Sequence, residues 1–307
     1  MAIDKRGKII LKASWIAIVG NAILSVLKIV IGIVSGSIAL VADGIDSASD
    51  IVTSLITLIT AHIISRPPDP NYAYGYGKAD TVATKALSFI IFFAGAQLAL
   101  STIDKLLNPI ERELPGTIAI YIVIISIAGK FALAWYLQKT GKKIDSSMLI
   151  ANARNMQNDV IISISVLVGL VLTFYFNLPI IDVATALFVS FYIMFIAFKI
   201  FMETNRDLMD GINDTGIYKK IIKLTNSVDG ASNPHRIRVR KMANLFIIAL
   251  DLEIEGNLSL TEAHEISNRV EQLIKEKIPN VYDILIHIDP KGIKEEEPYG
   301  VSEKNLQ

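Results

Sequence analysis

Apolar residues run in long blocks through the first two thirds of the chain and then give way to short alternating stretches. Six blocks stand out, at 12–34, 38–62, 82–104, 115–137, 148–174 and 180–202. Each is near or above the roughly 20 residues that a helix needs to cross a bilayer. The breaks between them carry turn residues: Ser35-Gly36-Ser37, Pro67-Pro68-Asp69-Pro70, Asn108-Pro109, Gly141 and Asn177-Leu178-Pro179. Past residue 206 the periodicity changes. Residues 214–226 read as a short helix, 236–242 and 245–254 as strands joined by a turn at Ala243-Asn244, 260–277 as a helix capped by Ser259, and 282–288 as a third strand. The pattern predicts a polytopic α-helical membrane protein with six transmembrane helices over 1–206. A small α+β domain of order αββαβ follows over 207–290, and a polar, disordered tail over 291–307.

Lys and Arg orient the spans. Lys5, Arg6, Lys8 and Lys12 precede the first, Lys139, Lys142 and Lys143 separate the fourth from the fifth, and Arg206 follows the sixth. The short loops at 35–37 and 175–179 carry none. Both termini are therefore expected in the cytoplasm. Lys28, Lys85 and Lys130 fall within spans and read as snorkelling side chains. The basic N-terminus precedes an apolar run too long for the core of a signal peptide, so the first span is expected to stay attached. Mean hydropathy is +0.46, between soluble and purely membrane values. Net charge is zero, which implies no electrostatic pull toward nucleic acid. The absence of cysteine leaves oxygen and imidazole as the metal ligands.

The second block carries Asp43, Asp46 and Asp50. A carboxylate near the bilayer centre costs roughly 2.5–3.5 kcal/mol on insertion scales. Asp46 and Asp50 share a helix face, being one turn apart. The fifth block opens with Asn152, Arg154, Asn155, Gln157, Asn158 and Asp159, and its Asn155 and Asp159 repeat the same spacing. Two helices that each present two oxygen ligands one turn apart can build a four-ligand cage. Polar contacts between membrane helices yield only about 0.6–2 kcal/mol each. Three buried acids would cost roughly 8–10 kcal/mol. A divalent cation or protons would offset that; helix adhesion would not. Asp43, nearer the outer surface, and Asp182, near a span end, are expected to reach solvent.

Six spans, these two pairs, the stretch Gly75-Tyr76-Gly77-Lys78-Ala79-Asp80 and the α+β tail together resemble the cation diffusion facilitator family. The resemblance implies a homodimeric, proton-coupled exporter of divalent transition metals in the cytoplasmic membrane, not an enzyme, with a metallochaperone-like tail domain. It places the transport site on Asp46, Asp50, Asn155 and Asp159. Zinc carriers of the family usually have histidine at the position of Asn155 or Asp46. The all-oxygen set here resembles the manganese branch, and hard oxygen donors suit Mn²⁺. Zn²⁺, Fe²⁺ or Co²⁺ export is the alternative. Asp69 matches the acidic position of a loop metal site, but Tyr72 and Tyr76 replace its histidines; no loop site is expected, and the tyrosines read as interfacial anchors. In the tail domain the resemblance points to a metal site, open to Zn²⁺, on His235, Asp251, His264, His287 and Asp289. It also suggests a hinge ion pair between Lys78 and Asp210. His62 reads as interfacial. Two rivals remain. An intramembrane aspartyl protease would need a Gly-x-Gly-Asp motif that is missing here, and a non-transporting metal-sensing dimeric scaffold would keep the fold alone.

Overall fold

A computed structural model of the chain describes residues 2–64, 66–107, 113–144, 146–212, 214–242, 245–292 and 299–303. The turns anticipated at Asn108-Pro109 and Ala243-Asn244 lie outside the described residues. The chain divides into two compact units, Met1–His62 with Ala83–Met202, and Ile63–Val82 with Glu203–Gln307. The connection between the second and third spans thus belongs to the second unit.

The first unit is built from helices α1 (Ala2–Ser35), α2 (Ile38–Ile64), α3 (Ala79–Leu107), α4 (Ile118–Lys143), α5 (Ser147–Phe176) and α6 (Ile180–Leu208). Among the described residues, α1, α3, α4, α5 and α6 contain stretches long and apolar enough to cross a membrane. Helix α2, with 27 residues, has the length but carries the three aspartates. A core cluster draws Leu40, Leu87, Val123, Val166 and Ile193 from α2 through α6. Large apolar side chains such as Val34, Phe93, Phe131 and Phe195 point outward, as a lipid-facing surface requires.

The turns obey local chemistry. Gly36 adopts φ +73° between α1 and α2. Asn177 closes α5 in the left-handed conformation, φ 56°, with its N–H on the Phe174 and Thr173 carbonyls. The first turn of α2 is capped from a distance. Asp182 of α6 accepts from the Ser37 hydroxyl and from the Ile38 N–H, both at 2.7 Å. Its carboxylate is buried, contrary to the solvated position expected for it.

Lys28 and Asp43 also depart from expectation. Both are 0% exposed. Lys28 Nζ lies 2.8 Å from Asp43 Oδ2 and donates to Ser47 Oγ at 3.2 Å and Ser163 Oγ at 3.0 Å. Ser163 in turn donates to Asp43 Oδ1 at 2.9 Å. Snorkelling fails here because Lys28 sits on the face of α1 that meets α2. A Cβ added at Gly44 would come within 2.6 Å of Ile29, so the backbones are too close for the stem to escape. The pair ties α1, α2 and α5 together through charge.

In the second unit, α7 (Gly216–Thr225), β1 (Ser232–Met242), β2 (Leu245–Ile254), α8 (Leu260–Lys277) and β3 (Val281–Pro290) follow in the expected order. The sheet order is β1-β2-β3, antiparallel between β1 and β2 and parallel between β2 and β3. Helix α8 makes the crossover that a parallel pair demands. Its buried Ile266, Val270 and Ile274 join Ile248 and Leu250 of the central strand in one core. Ser259 and Glu262 form a reciprocal capping box at its start. Hydrogen bonds from Ser259 hold the Glu262 carboxyl below the usual range. The tail, expected to be disordered from Lys291, in part returns to the sheet. Val301 exchanges backbone hydrogen bonds with Ile237 of β1, and Arg236 donates to the Tyr299 hydroxyl at 2.7 Å. A single residue that pairs so far along the chain leaves no mark on the periodicity.

Lys28→Met should cost about 3–5 kcal/mol by stranding the Asp43 carboxylate. Adding Asp43→Leu should restore most of the loss, read as melting temperature in detergent. Ser259→Ala should cost about 1 kcal/mol through the lost cap, read as a lower melting temperature of the cytoplasmic unit in the full chain.

Candidate metal centres

The first centre lies in the membrane unit. Asp50 of α2 and Asp159 of α5 meet the ammonium of Lys130 of α4. The Nζ is 3.9 Å from Asp50 Oδ2 and 3.2 Å from Asp159 Oδ2. Asp46, one turn before Asp50, sits in the electrostatic range of Asp159 and Lys130. Asn155, one turn before Asp159, is an exposed position on α5. The structure therefore brings Asp50 and Asp159 to one lysine, with Asp46 one turn away on α2, while Asn155 makes no contact with them among the described hydrogen bonds.

Lys130 was expected to snorkel and does not: it is 0% exposed. Helix α4 packs along both α1 and α5, and Lys130 faces the carboxylates. A charge count held the signal. A mid-span lysine is as costly as a mid-span aspartate, so lysines and acids in the same bundle predict each other.

The second centre lies on the cytoplasmic sheet. Register places His235, Asp251 and His287 on one rung across β1, β2 and β3, with Asp289 two residues further along β3. His235, Asp251 and Asp289 present ligand atoms all within 4.8 Å of one another. Asp289 bridges the imidazoles, with Oδ2 3.3 Å from His235 Nε2 and Oδ1 3.1 Å from His287 Nε2. His235 Nδ1 is 2.7 Å from the Asn233 carbonyl. With the proton on that nitrogen, Nε2 turns its lone pair toward the cluster, the usual arrangement behind a metal-binding imidazole. His264 does not join them. It lies on the exposed face of α8, whose opposite face fills the core. Asp251 is already engaged by two guanidinium groups, Arg236 Nη1 at 2.9 Å and Arg238 Nη2 at 3.8 Å. These arginines alternate with buried apolar residues along β1 and gave no signal as partners of an acid.

Two further sequence features resolve within the second unit. Asp210 accepts from Lys78 Nζ at 2.5 Å and from Arg240 Nε at 2.9 Å. The expected pair is thus a triad, its third member being a strand arginine. In the loop, Asp69 accepts from the N–H groups of Asn71 at 2.8 Å and Tyr72 at 3.0 Å, and from the Tyr76 hydroxyl. The Tyr76 hydrogen bond holds the Asp69 carboxyl below its ordinary range and pushes the phenol up. Tyr72 and Tyr76 pack ring to ring at 4.6 Å. Both tyrosines fold the loop onto Asp69.

The comparisons with known proteins fall in line with this geometry. The family model described as the cation efflux transmembrane domain matches residues 14–209, and that of the cation efflux protein cytoplasmic domain matches residues 214–291. The manganese efflux system protein MneS of Bacillus subtilis is 30% identical over 277 residues, covering 90% of this chain and 93% of its own. The cation-efflux pump FieF of Salmonella typhi is 29% identical over 287 residues, covering 94% and 95%. Among solved structures, the metal-bound C-terminal domain of the CzcD transporter from Thermotoga maritima is 28% identical, with a TM-score of 0.25, covering 26% of this chain and 93% of that one. With both family models matched in order and relatives aligned nearly end to end, the chain belongs to the cation efflux, or cation diffusion facilitator, family of membrane transporters.

Proposed function

We propose that the chain is a homodimeric exporter of Mn²⁺ that works by alternating access and exchanges the metal for protons across the cytoplasmic membrane. The observation that carries this reading is the meeting of Asp50 and Asp159, from two helices, at one buried cation. Carboxylates already drawn around a positive charge are arranged to receive a doubly charged one. Asp46 adds a third carboxylate from the same face of α2. Asn155 would contribute a neutral carbonyl, which requires it to turn inward in the metal-bound state. Oxygen donors without thiolate or imidazole favour Mn²⁺ over softer ions. The two manganese efflux systems of Bacillus subtilis among the relatives support the same choice. Zn²⁺, Fe²⁺ and Co²⁺ are the competing cargoes.

Protons and metal compete for the same carboxylate oxygens. Facing the cytoplasm, the ionised acids take the cation. Facing outward, protonation lowers their hold and the metal leaves. The lysines and arginine that flank the spans put both termini in the cytoplasm. The cytoplasmic domain, whose family model supports pairing of two copies, would bind its own ion at His235, Asp289 and His287. Asp251 would join only by giving up its arginines. Imidazole and carboxylate suit Zn²⁺ there. The Lys78–Asp210–Arg240 triad would brace the start of this domain.

Proteoliposomes with an internal pH dye test the transport reading. Asp50→Asn and Asp159→Asn should each cut Mn²⁺ uptake and the coupled proton signal by at least about tenfold; uptake at the parental rate would refute the site. Mn²⁺, Zn²⁺, Fe²⁺ and Co²⁺ offered side by side decide the cargo. For the cytoplasmic ion, His235→Ala with Asp289→Ala should remove one tightly bound Zn²⁺ per chain, counted by elemental analysis after dialysis, while the transport site still binds Mn²⁺.

A further inference from the structure

The two buried lysines of the membrane unit are held in opposite ways. Lys28 is fully satisfied, with an ion pair at 2.8 Å and two hydroxyl acceptors. Lys130 is not. Its ammonium makes no hydrogen bond of proper geometry, although two carboxylates stand within 4 Å of it, and Asp50 Oδ2 likewise lacks an aligned donor. The first lysine is locked into the fold. Among the described residues, the second is held by its ion pairs to Asp159 and Asp50.

We propose that Lys130 is a tethered counter-cation of the transport site: its ammonium stands between Asp50 and Asp159 when no metal is bound, and an arriving divalent ion displaces it. This rests on the transport reading above. The charge count supports it. With its acids ionised the site is negative; one ammonium offsets one charge and a divalent cation two, so the metal is the stronger counter-ion and can take the place of Lys130. The Lys28–Asp43 pair is neutral by itself and leaves that balance unchanged. A monovalent tether therefore does two things. It keeps the metal-free acids from repelling one another in a medium of low dielectric. It also sets how strongly the metal is held, since every bound ion must work against the displaced ammonium. Binding strong enough to load yet weak enough to release is what transport requires.

Lys130 acts through the acids and is a positioning residue, so the test separates affinity from structure. The background is full-length protein carrying His235→Ala and Asp289→Ala, so that Mn²⁺ titrations report the membrane site. Lys130→Met should bind Mn²⁺ about tenfold more tightly, because the competing charge is gone. Its transport KM should fall with its maximal rate, as release slows. Lys130→Arg, which keeps the charge, should stay near the parental affinity. Affinity that is unchanged or weaker in a Lys130→Met protein with parental elution and melting behaviour would overturn the proposal. Should that variant not fold, the unmutated protein decides. Reductive methylation of Lys130, read by mass spectrometry, should rise as Mn²⁺ saturates the site, and a level indifferent to Mn²⁺ would overturn it. Parental protein that moves no divalent ion in the same vesicles would instead overturn the transport reading.

Discussion

Charge compensation in hydrocarbon governs the membrane half of this protein. Unpaired ions are expensive there, and water is not at hand to solvate them. Asp43 is answered by Lys28, and Asp50 and Asp159 by Lys130, lysines drawn from two other helices. Ridge packing of apolar side chains brings helices together in several registers of similar energy. Two ion pairs at fixed heights leave far fewer. The helix arrangement and the metal centre are in this sense set by the same few atoms.

Much of this was legible in the residue order. Block length and turn residues located the six long helices, and a change of period located αββαβ. The spacing of Asp46 with Asp50, and the cost of an intramembrane acid, pointed to α2 and α5 as the helices of a candidate centre. What stayed hidden was partnership. Helical periodicity says which side chains share a face, and nothing about which neighbouring helix that face meets. Lys28 and Lys130 therefore read as surface cations, although the bundle turns both inward. Asp182 read as solvated for the same reason, and it caps a helix far from it in sequence. In the cytoplasmic domain, His264 looked equivalent to His235 and His287 because composition treats all imidazoles alike. The register of the sheet separates them: His235 and His287 fall on one rung with Asp251, and His264 lies on the outer face of α8.

The cytoplasmic cluster shows how the same ligands can serve two masters. Asp289 touches both imidazoles, so it balances whatever charge they carry. Asp251, on the central strand, is the most buried of the acids there, and its counter-charges come from β1 arginines. Arg236 also reaches Tyr299 of the returning tail. A cation arriving at Asp251 would have to contend with this chain of contacts, whereas one bound by His235, Asp289 and His287 would not.

The remote cap on α2 constrains how this bundle can rearrange. Two short hydrogen bonds fasten the N-terminal tip of that helix to the carboxylate of α6. Sliding α2 lengthwise would tear charged contacts out of a dry setting, while tilting it about that tip would leave them whole. In such a tilt the fastened end would be the pivot, and the largest displacement would fall at the opposite end of the helix, beyond Asp50.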